Sequence, residues 1–568
     1  MSSATPPRLM ASTIIMAAGT MASRLLGMVR VVLAAWVLGQ AGRQADMFAI
    51  AGQIPSQAYM LIAGGMLNSI LLPQLMRAMT RDADGGQAYS DRIVTLFLLA
   101  LISLTALLTV GAPLVIRLVV ASNWLDPALA AQYGSMVFLA TLCMPQIFFY
   151  GAFFLGGQLL NSRNSFGPLM WAPVLNNVIQ IIMLTTYAVI WGFDTNSNGA
   201  FSNAQVLVLG IGSVVGVACQ AALLLPYLKK VGFTYRPRFD FLHTGLGSTA
   251  HLAKWAIALT TVDQINFLVV TKVASVATVE GNGAGMSVFN TATLISFVPH
   301  ALLTVSLATA MMPSLSTQAN TSAWQEFTRQ FVAGLRMVYA AMVPVCLLFA
   351  TLGVSLVSLV MPGHGGIYTG RALVVLGLGL IPFSLRFLIT KAFNAMGNTR
   401  TPFFIEVVFV VVTSGVSMLL VWVFGVPLTW VAVAIAAGYT LGYLVSAIVA
   451  WGWLRRVVPR LAKVRLAGLT AQLIYLAAPG AILAAAICWA QNWWWPGKLP
   501  QLLAVLIGLF LAVLIYWRLA RAAGVDEVVQ LEEIIRARLP HSGGGSAGGS
   551  SAPRRAVSPQ NSTPSKAE

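Results

Sequence analysis

The sequence predicts an all-α polytopic membrane protein of about fourteen transmembrane helices. Three observations predict it. Of 568 residues, 58% are hydrophobic and 9% charged, against about 25% charged in a soluble domain; such a chain cannot cover a water-facing surface, which excludes a soluble enzyme. Apolar runs long enough to cross a hydrocarbon core, about 20 residues each, recur along the whole chain. The basic residues fall in alternate connections between these runs. The formal charge of +18, from 34 Lys+Arg against 16 Asp+Glu, would elsewhere suggest nucleic acid. Here the membrane accounts for it, and no nucleic-acid partner is expected.

The runs start near residues 11, 46, 92, 128, 167, 204, 252, 286, 333, 372, 403, 429, 468 and 500. Residues 1–7 are short and polar, and the first run exceeds a signal-peptide core and has no cleavage site, so it reads as a retained first helix. Alternate connections carry Arg77, Arg81 and Arg92; Arg163; Lys229, Lys230, Arg236 and Arg238; Arg329; Arg400; then Arg455, Arg456, Arg460, Lys463 and Arg465. The intervening ones offer little beyond Arg43, Arg371 and Lys498. The positive-inside rule therefore puts both termini in the cytoplasm, which requires an even number of spans.

A weak internal repeat links the second and eighth runs. IPSQAYMLIAGGMLNSILLPQL and VPHALLTVSLATAMMPSL both have an early proline and end in Pro-x-Leu, which predicts parallel halves related by an axis along the membrane normal. Beyond the last run, DEVVQLEEIIRARL is a short amphipathic segment, and the Gly/Ser/Pro-rich stretch after Leu539 has the composition of a disordered tail. Cys143, Cys219, Cys346 and Cys488 sit inside apolar runs without ligand spacing, and the five histidines are scattered. No metal site and no cofactor are expected.

Ionisable groups inside the spans mark function, because each costs roughly 2.5–3.5 kcal/mol at mid-bilayer without a cavity or a partner. Arg24 and Arg30 both lie in the first span, roughly 120° apart on a straight helix. For both to face one cavity the helix must bend or unwind, and Gly27 is where it could. The alternative is a structural cluster neutralised by Asp46; two arginines against one acid favour an anion-facing cavity. Asp263 is the acid at mid-membrane depth in the seventh span, either pairing with an arginine or binding a coupling cation. In the tenth span Arg386 is expected to line a cavity and Lys391 to reach the interface. Glu406, Lys254 and Arg336 are expected at the interface. Arginine's planar fork suits a phosphate or pyrophosphate, so an amphiphile with an anionic head fits such a cavity.

SRLLGMVRVVLAAWVLG followed by ADMFAIAGQIPS resembles the opening of the MviN/MurJ family of lipid II flippases, within the multidrug/oligosaccharidyl-lipid/polysaccharide exporter superfamily. QLLNSRNSFGPLMWAPVLNN, GSVVGVACQAALLLPYLKKVGF, GLRMVYAAMVPVCLLF and KAFNAMGNTRTP continue it in order, over roughly residues 10–460. The resemblance implies two six-helix lobes around a V-shaped cationic cavity and a final helix pair for a lipid tail. The lobes would span 1–232 and 233–460, the pair 461–522, and the cytoplasmic amphipathic segment and tail 523–568. It also implies that Arg24 and Arg30 engage the diphosphate and that Asp46 is the acid opening the second span. Many relatives of that family carry Arg-Arg and a Glu in the second span, where this chain has Tyr59, Met60 and Gly64. They also carry an arginine in the eighth span, where TATLISF has none. Arg386 or Lys391 is expected to compensate. The type is read as actinobacterial, without the pseudokinase that some such relatives carry; Ser558 and Thr563, each before proline, are weak phosphosite candidates.

The expected function is translocation of undecaprenyl-diphosphate-linked disaccharide-pentapeptide, lipid II, from the inner to the outer leaflet of a bacterial plasma membrane by alternating access. Arg24, Arg30, Asp46 and Arg386 are the substrate-binding candidates, and Asp263 and Gly27 the gating or ion-coupling ones. Pro55, Pro299, Pro344 and Pro382 are the flexible points. The alternatives are an exporter of another lipid-linked oligosaccharide or of drugs, a membrane enzyme acting on lipid II, and a non-transporting scaffold. No Walker motif is present, so the energy source stays open between a coupling cation and the membrane potential. Expected partners are lipid II, membrane lipids and proteins of cell-wall elongation or division.

Overall fold

The computed structural model describes residues 6–62, 68–81, 84–193, 198–240, 246–464, 466–525 and 527–528. Among them the regular elements are all helical, as expected where no water is present to satisfy a sheet edge or an open loop. The first half comprises α1 (Pro6–Val37), α2 (Arg43–Ile62), α3 (Asn68–Arg81), α4 (Gln87–Val110), α5 (Ala112–Val119), α6 (Ala130–Cys143), α7 (Gln146–Ser162), α8 (Gly167–Trp191), α9 (Asn203–Ala222) and α10 (Leu224–Lys230). The second half comprises α11 (Leu246–Ser275), α12 (Met286–Asn320), α13 (Trp324–Val360), α14 (Gly363–Leu378), α15 (Leu380–Ala395), α16 (Arg400–Met418) and α17 (Val431–Val457). The closing pair is α18 (Leu466–Trp494) and α19 (Lys498–Ala522).

Twelve described helices are long and apolar enough to cross a membrane, or up to thirteen if the bent pair α14–α15 is one span. The expected figure of about fourteen is therefore not reproduced on this criterion. Of the expected runs, the second is the one missing: α2 carries Arg43, Gln44, Asp46, Gln53, Ser56 and Gln57 within its 20 residues, too polar for a lipid-facing helix. The 49° bend between α14 and α15 falls at Gly379, where a Cβ would come within 2.9 Å of Thr440 Oγ1. Pro382 follows in the first turn of α15, while Pro55, Pro299 and Pro344 sit inside α2, α12 and α13.

Three of the hydrophobic clusters show how the halves are arranged. One is shared: Leu38 just past α1, and Met47 and Ile50 of α2, cluster with Met136 and Leu139 of α6, and also with Val273, Val288 and Ala292 of the second half. The other two are separate. Leu75, Phe97, Leu101 and Leu159 form a core within the first half, and Phe327, Phe331, Ile389 and Ile405 form one within the second. The halves are thus joined through the shared core, while among the described residues each of the other two clusters stays within its own half. Residues 233–240 leave the first half as an extended strap along α4. Phe233 is buried in that half's core, Arg236 N–H donates to Asp91 Oδ1 at 3.2 Å, and Arg238 N–H donates to Thr95 Oγ1 at 3.0 Å. Arg92 Nε meets Asp240 Oδ2 at 2.7 Å and holds that carboxyl below the usual carboxylate range.

The pair α18–α19 meets through small residues, with Gly480 facing the Ala512 backbone and Gly508 facing Ala484, the close approach that joins helices in lipid. Tyr516 donates to the Ala340 carbonyl at 2.6 Å and ties the pair to α13. Arg336 is paired at 2.5 Å with Glu527. The rest of the expected amphipathic segment, with the tail holding Ser558 and Thr563, lies outside the described residues.

Candidate functional site

A cavity of about 670 Å³ lies between the halves, with Arg24, Gly27 and Arg30 of α1 in its wall. Gln53 of α2, Tyr150 of α7, Asn177 of α8 and Asn290 of α12 also line it. Both arginines reach it although α1 is helical without interruption through Gly27. The expected unwinding is absent: the cavity is broad enough that two side chains about 120° apart, each long and flexible, enter from either side of the helix. Gly27 faces the Asn177 amide, where a Cβ would make an ordinary 3.8 Å contact, and Asn177 donates to the Ser23 carbonyl at 3.0 Å. This side wall is neutral and polar.

Asp46 is fully buried and is not in the cavity wall, so it is not the arginines' counter-ion. Its Oδ1 accepts the Ser287 N–H at 2.8 Å and its Oδ2 the Thr278 hydroxyl at 2.9 Å. Ser287 lies in the first turn of α12, so a carboxylate from one half caps a helix of the other, where it meets unpaired N–H groups and the positive end of the dipole. Gly285 leaves room for it; a Cβ there would collide with the carboxylate. Arg43 reinforces the seal by donating to the Val279 carbonyl at 2.6 Å and the Thr278 carbonyl at 3.1 Å. Gln40 donates to Thr291 Oγ1 at 2.7 Å, and Gly283 N–H bonds the Ala41 carbonyl at 3.0 Å. The cavity is therefore shut at the end where α1 finishes.

Two amide pairs cross between the halves further along α2. Asn290 Nδ2 donates to Gln53 Oε1 at 3.2 Å and Gln53 Nε2 to Asn290 Oδ1 at 3.5 Å. Gln264 of α11 donates to Gln57 at 3.3 Å. Sequence reasoning passed over these residues, yet Asp46, Gln53 and Gln57 at i, i+7 and i+11 fall within about 20° of one line on a helix, a polar stripe in a nominal span.

Arg386 is not in the cavity wall, contrary to the expectation that it lines it. It pairs with Glu406 Oε2 at 2.8 Å, both side chains only about an eighth exposed, and lies over the rings of Phe409 and Tyr443 at 4.5 and 5.6 Å. Asp263 lies beside Glu406 in the same cluster. Glu406 is thus an interior residue rather than an interfacial one, because the guanidinium one helix away outcompetes the membrane surface for it. His300, bonded to Ser384 at 3.0 Å and packed on Phe383, closes this cluster. Lys391 lies over Phe387 at 5.2 Å and is likewise absent from the cavity wall.

The family model of the lipid II flippase MurJ matches residues 34–516. A probable lipid II flippase MurJ of Vibrio cholerae is 27% identical over 458 residues, 77% of this chain and 82% of that protein. One of Haemophilus influenzae is 26% identical over 435 residues, 74% of this chain and 81% of its own length. Among solved structures, a lipid II flippase MurJ in an inward closed conformation superposes with a TM-score of 0.69 at 16% identity, covering 90% of this chain and 99% of that one. An inward-facing multidrug MATE transporter superposes at 0.58 and 16% identity, over 77% and 96%. At that identity the two structures speak for the fold alone.

Proposed function

This chain belongs to the lipid II flippase MurJ family, and we propose that it carries lipid II from the inner to the outer leaflet by alternating access. It is a multi-pass membrane protein and a transporter, not an enzyme. The observation that carries the reading is a cavity between two lobes, walled by Arg24 and Arg30 and sealed where α1 finishes. Both arginines present planar donor forks to one space, the geometry for a diphosphate. The exposed apolar flanks outside leave room for an undecaprenyl tail in the bilayer.

We place both termini in the cytoplasm of a bacterial plasma membrane, from the basic connections. The Asp46 seal then faces outward and the cavity opens toward the leaflet where substrate is made. Transport requires the seal to part while the two separate cores close on each other. Asp263 and Glu406 supply two carboxylates against the single guanidinium of Arg386, an acid-rich site which a coupling cation would balance; the membrane potential is the other source we consider. Membrane lipids and proteins of wall elongation or division complete the proposed partners. A cavity lined by bases argues against export of cationic drugs.

The test is depletion of a host's own flippase with this gene supplied as wild type, Arg24→Ala or Arg30→Ala, and colicin- or protease-accessible lipid II as readout. Wild type should restore outer-leaflet lipid II and the variants, at equal membrane levels, should not. Equal restoration by the variants would remove the cationic cavity from the mechanism, and failure of inserted wild type would favour another lipid-linked oligosaccharide.

A further inference from the structure

We propose that the Gln53–Asn290 pair is an exchangeable latch, released when amide groups of the substrate headgroup take the place of one partner. The inference rests on the lipid II reading and assigns the specificity of that same cavity.

Three contacts stand in a row on the α2 face toward the second lobe, and they differ in chemistry. Asp46 at the sealed end is a buried charge on a helix terminus. No neutral ligand can replace its partners without stranding the carboxylate. Gln57 pairs with Gln264 away from the cavity wall. Of these three, the Gln53–Asn290 contact has both partners in the wall that holds Arg24 and Arg30 and no charge to strand; Gln40 and Thr291, in the same wall, bond at the sealed end beside Asp46. Each side chain is half-buried.

An amide pair offers one N–H donor and one carbonyl acceptor from each side. A peptide bond or an acylated amino sugar presents the same donor and acceptor, so it satisfies Gln53 or Asn290 and leaves nothing buried and unpaired. A bare diphosphate on the same lipid has no donor for Gln53 Oε1. Diphosphate capture by the arginines and amide exchange at Gln53 are therefore separable steps. The first holds any diphospholipid; the second loosens the lobes only for one bearing its sugar-peptide head. Pro55 leaves the Ala51 carbonyl without its helical N–H donor, and the Ser56 hydroxyl adds a bond to the Gln53 carbonyl at 2.8 Å, so α2 can flex where the latch sits.

The experiment measures dissociation constants of the full chain in nanodiscs for lipid II, for undecaprenyl diphosphate, and for lipid II with its pentapeptide removed. Gln53→Leu and Asn290→Leu should each reduce the preference for lipid II over undecaprenyl diphosphate by about five- to tenfold. Their affinity for undecaprenyl diphosphate should stay within about twofold. Gln57→Leu should leave the preference unchanged while loosening the lobes, read as a broader spin-label distance between α2 and α11. Loss of the peptide-free lipid's preference in the Gln53 and Asn290 variants assigns the exchange to sugar amides; its retention assigns it to the peptide. An unchanged preference in both leucine variants overturns the latch, as does equal loss of both ligands. If wild type itself binds lipid II no better than undecaprenyl diphosphate, or Arg24→Ala binds both normally, the substrate reading fails instead.

Discussion

The Asp46 carboxylate accepts the Ser287 N–H at 2.8 Å across a sequence separation of 241 residues, so a side chain of one lobe serves as the N-cap acceptor for a helix of the other. Removing it strands the Thr278 hydroxyl and the first-turn N–H groups of α12. Asp46→Ala is expected to shift the balance against the sealed state by about 2 kcal/mol, roughly thirtyfold. Labelling from outside of a cysteine placed at Gly39 should rise accordingly. Gly285→Ala should act in the same direction by pushing the carboxylate away; unaltered labelling in both variants would refute the seal.

Arg24 and Arg30 are expected to tolerate lysine incompletely. Lysine keeps the charge but loses the two parallel N–H groups that grip a diphosphate oxygen pair. Each Arg→Lys change should weaken undecaprenyl diphosphate binding by about tenfold, and each Arg→Ala change by about a hundredfold. Titration calorimetry on the purified chain separates the two; identical affinities for the lysine variants and wild type would argue against a bidentate grip.

The interior pair Arg386–Glu406 predicts an asymmetric mutant cycle. Arg386→Met leaves Asp263 and Glu406 facing each other without a cation and is expected to cost about 3–5 kcal/mol. Glu406→Gln keeps an acceptor for the guanidinium and leaves Asp263 to balance it, so it should cost less. Thermal unfolding in one detergent ranks them, and the reverse order would contradict this arrangement.

The strap along α4 carries a small acid sensitivity. The Arg92 hydrogen bond lowers the folded-state value of Asp240. Its contribution is therefore complete above the unfolded carboxylate value, about pH 4, and is lost as pH falls through the lower folded value. Protection of the Arg238 amide from exchange, corrected for intrinsic rate, should hold from about pH 7 to pH 5 and fall below about pH 4. Both groups reach solvent, so the effect is modest. Asp240→Asn should remove it.

Hydropathy and charge are local quantities, and from them follow the membrane class, the helical fold, the alternation of basic connections and the presence of Arg24 and Arg30 in a span. The energetic penalty for a charge in hydrocarbon applies residue by residue, so its bearer stands out along the chain whatever the rest does. Which partner meets that penalty is settled by helices distant in sequence. Arg386 had two ways to be satisfied, a watery cavity or a carboxylate, and the packing of α15 against α16 selected Glu406. Asp46 had the nearby arginines as candidates and instead received the end of α12. Gln53 and Gln57 cost too little in a span to draw notice, since a neutral amide carries no charge to desolvate. Their importance arises only where α2 lies against α11 and α12, bringing matching amides within hydrogen-bond reach across the space between the lobes.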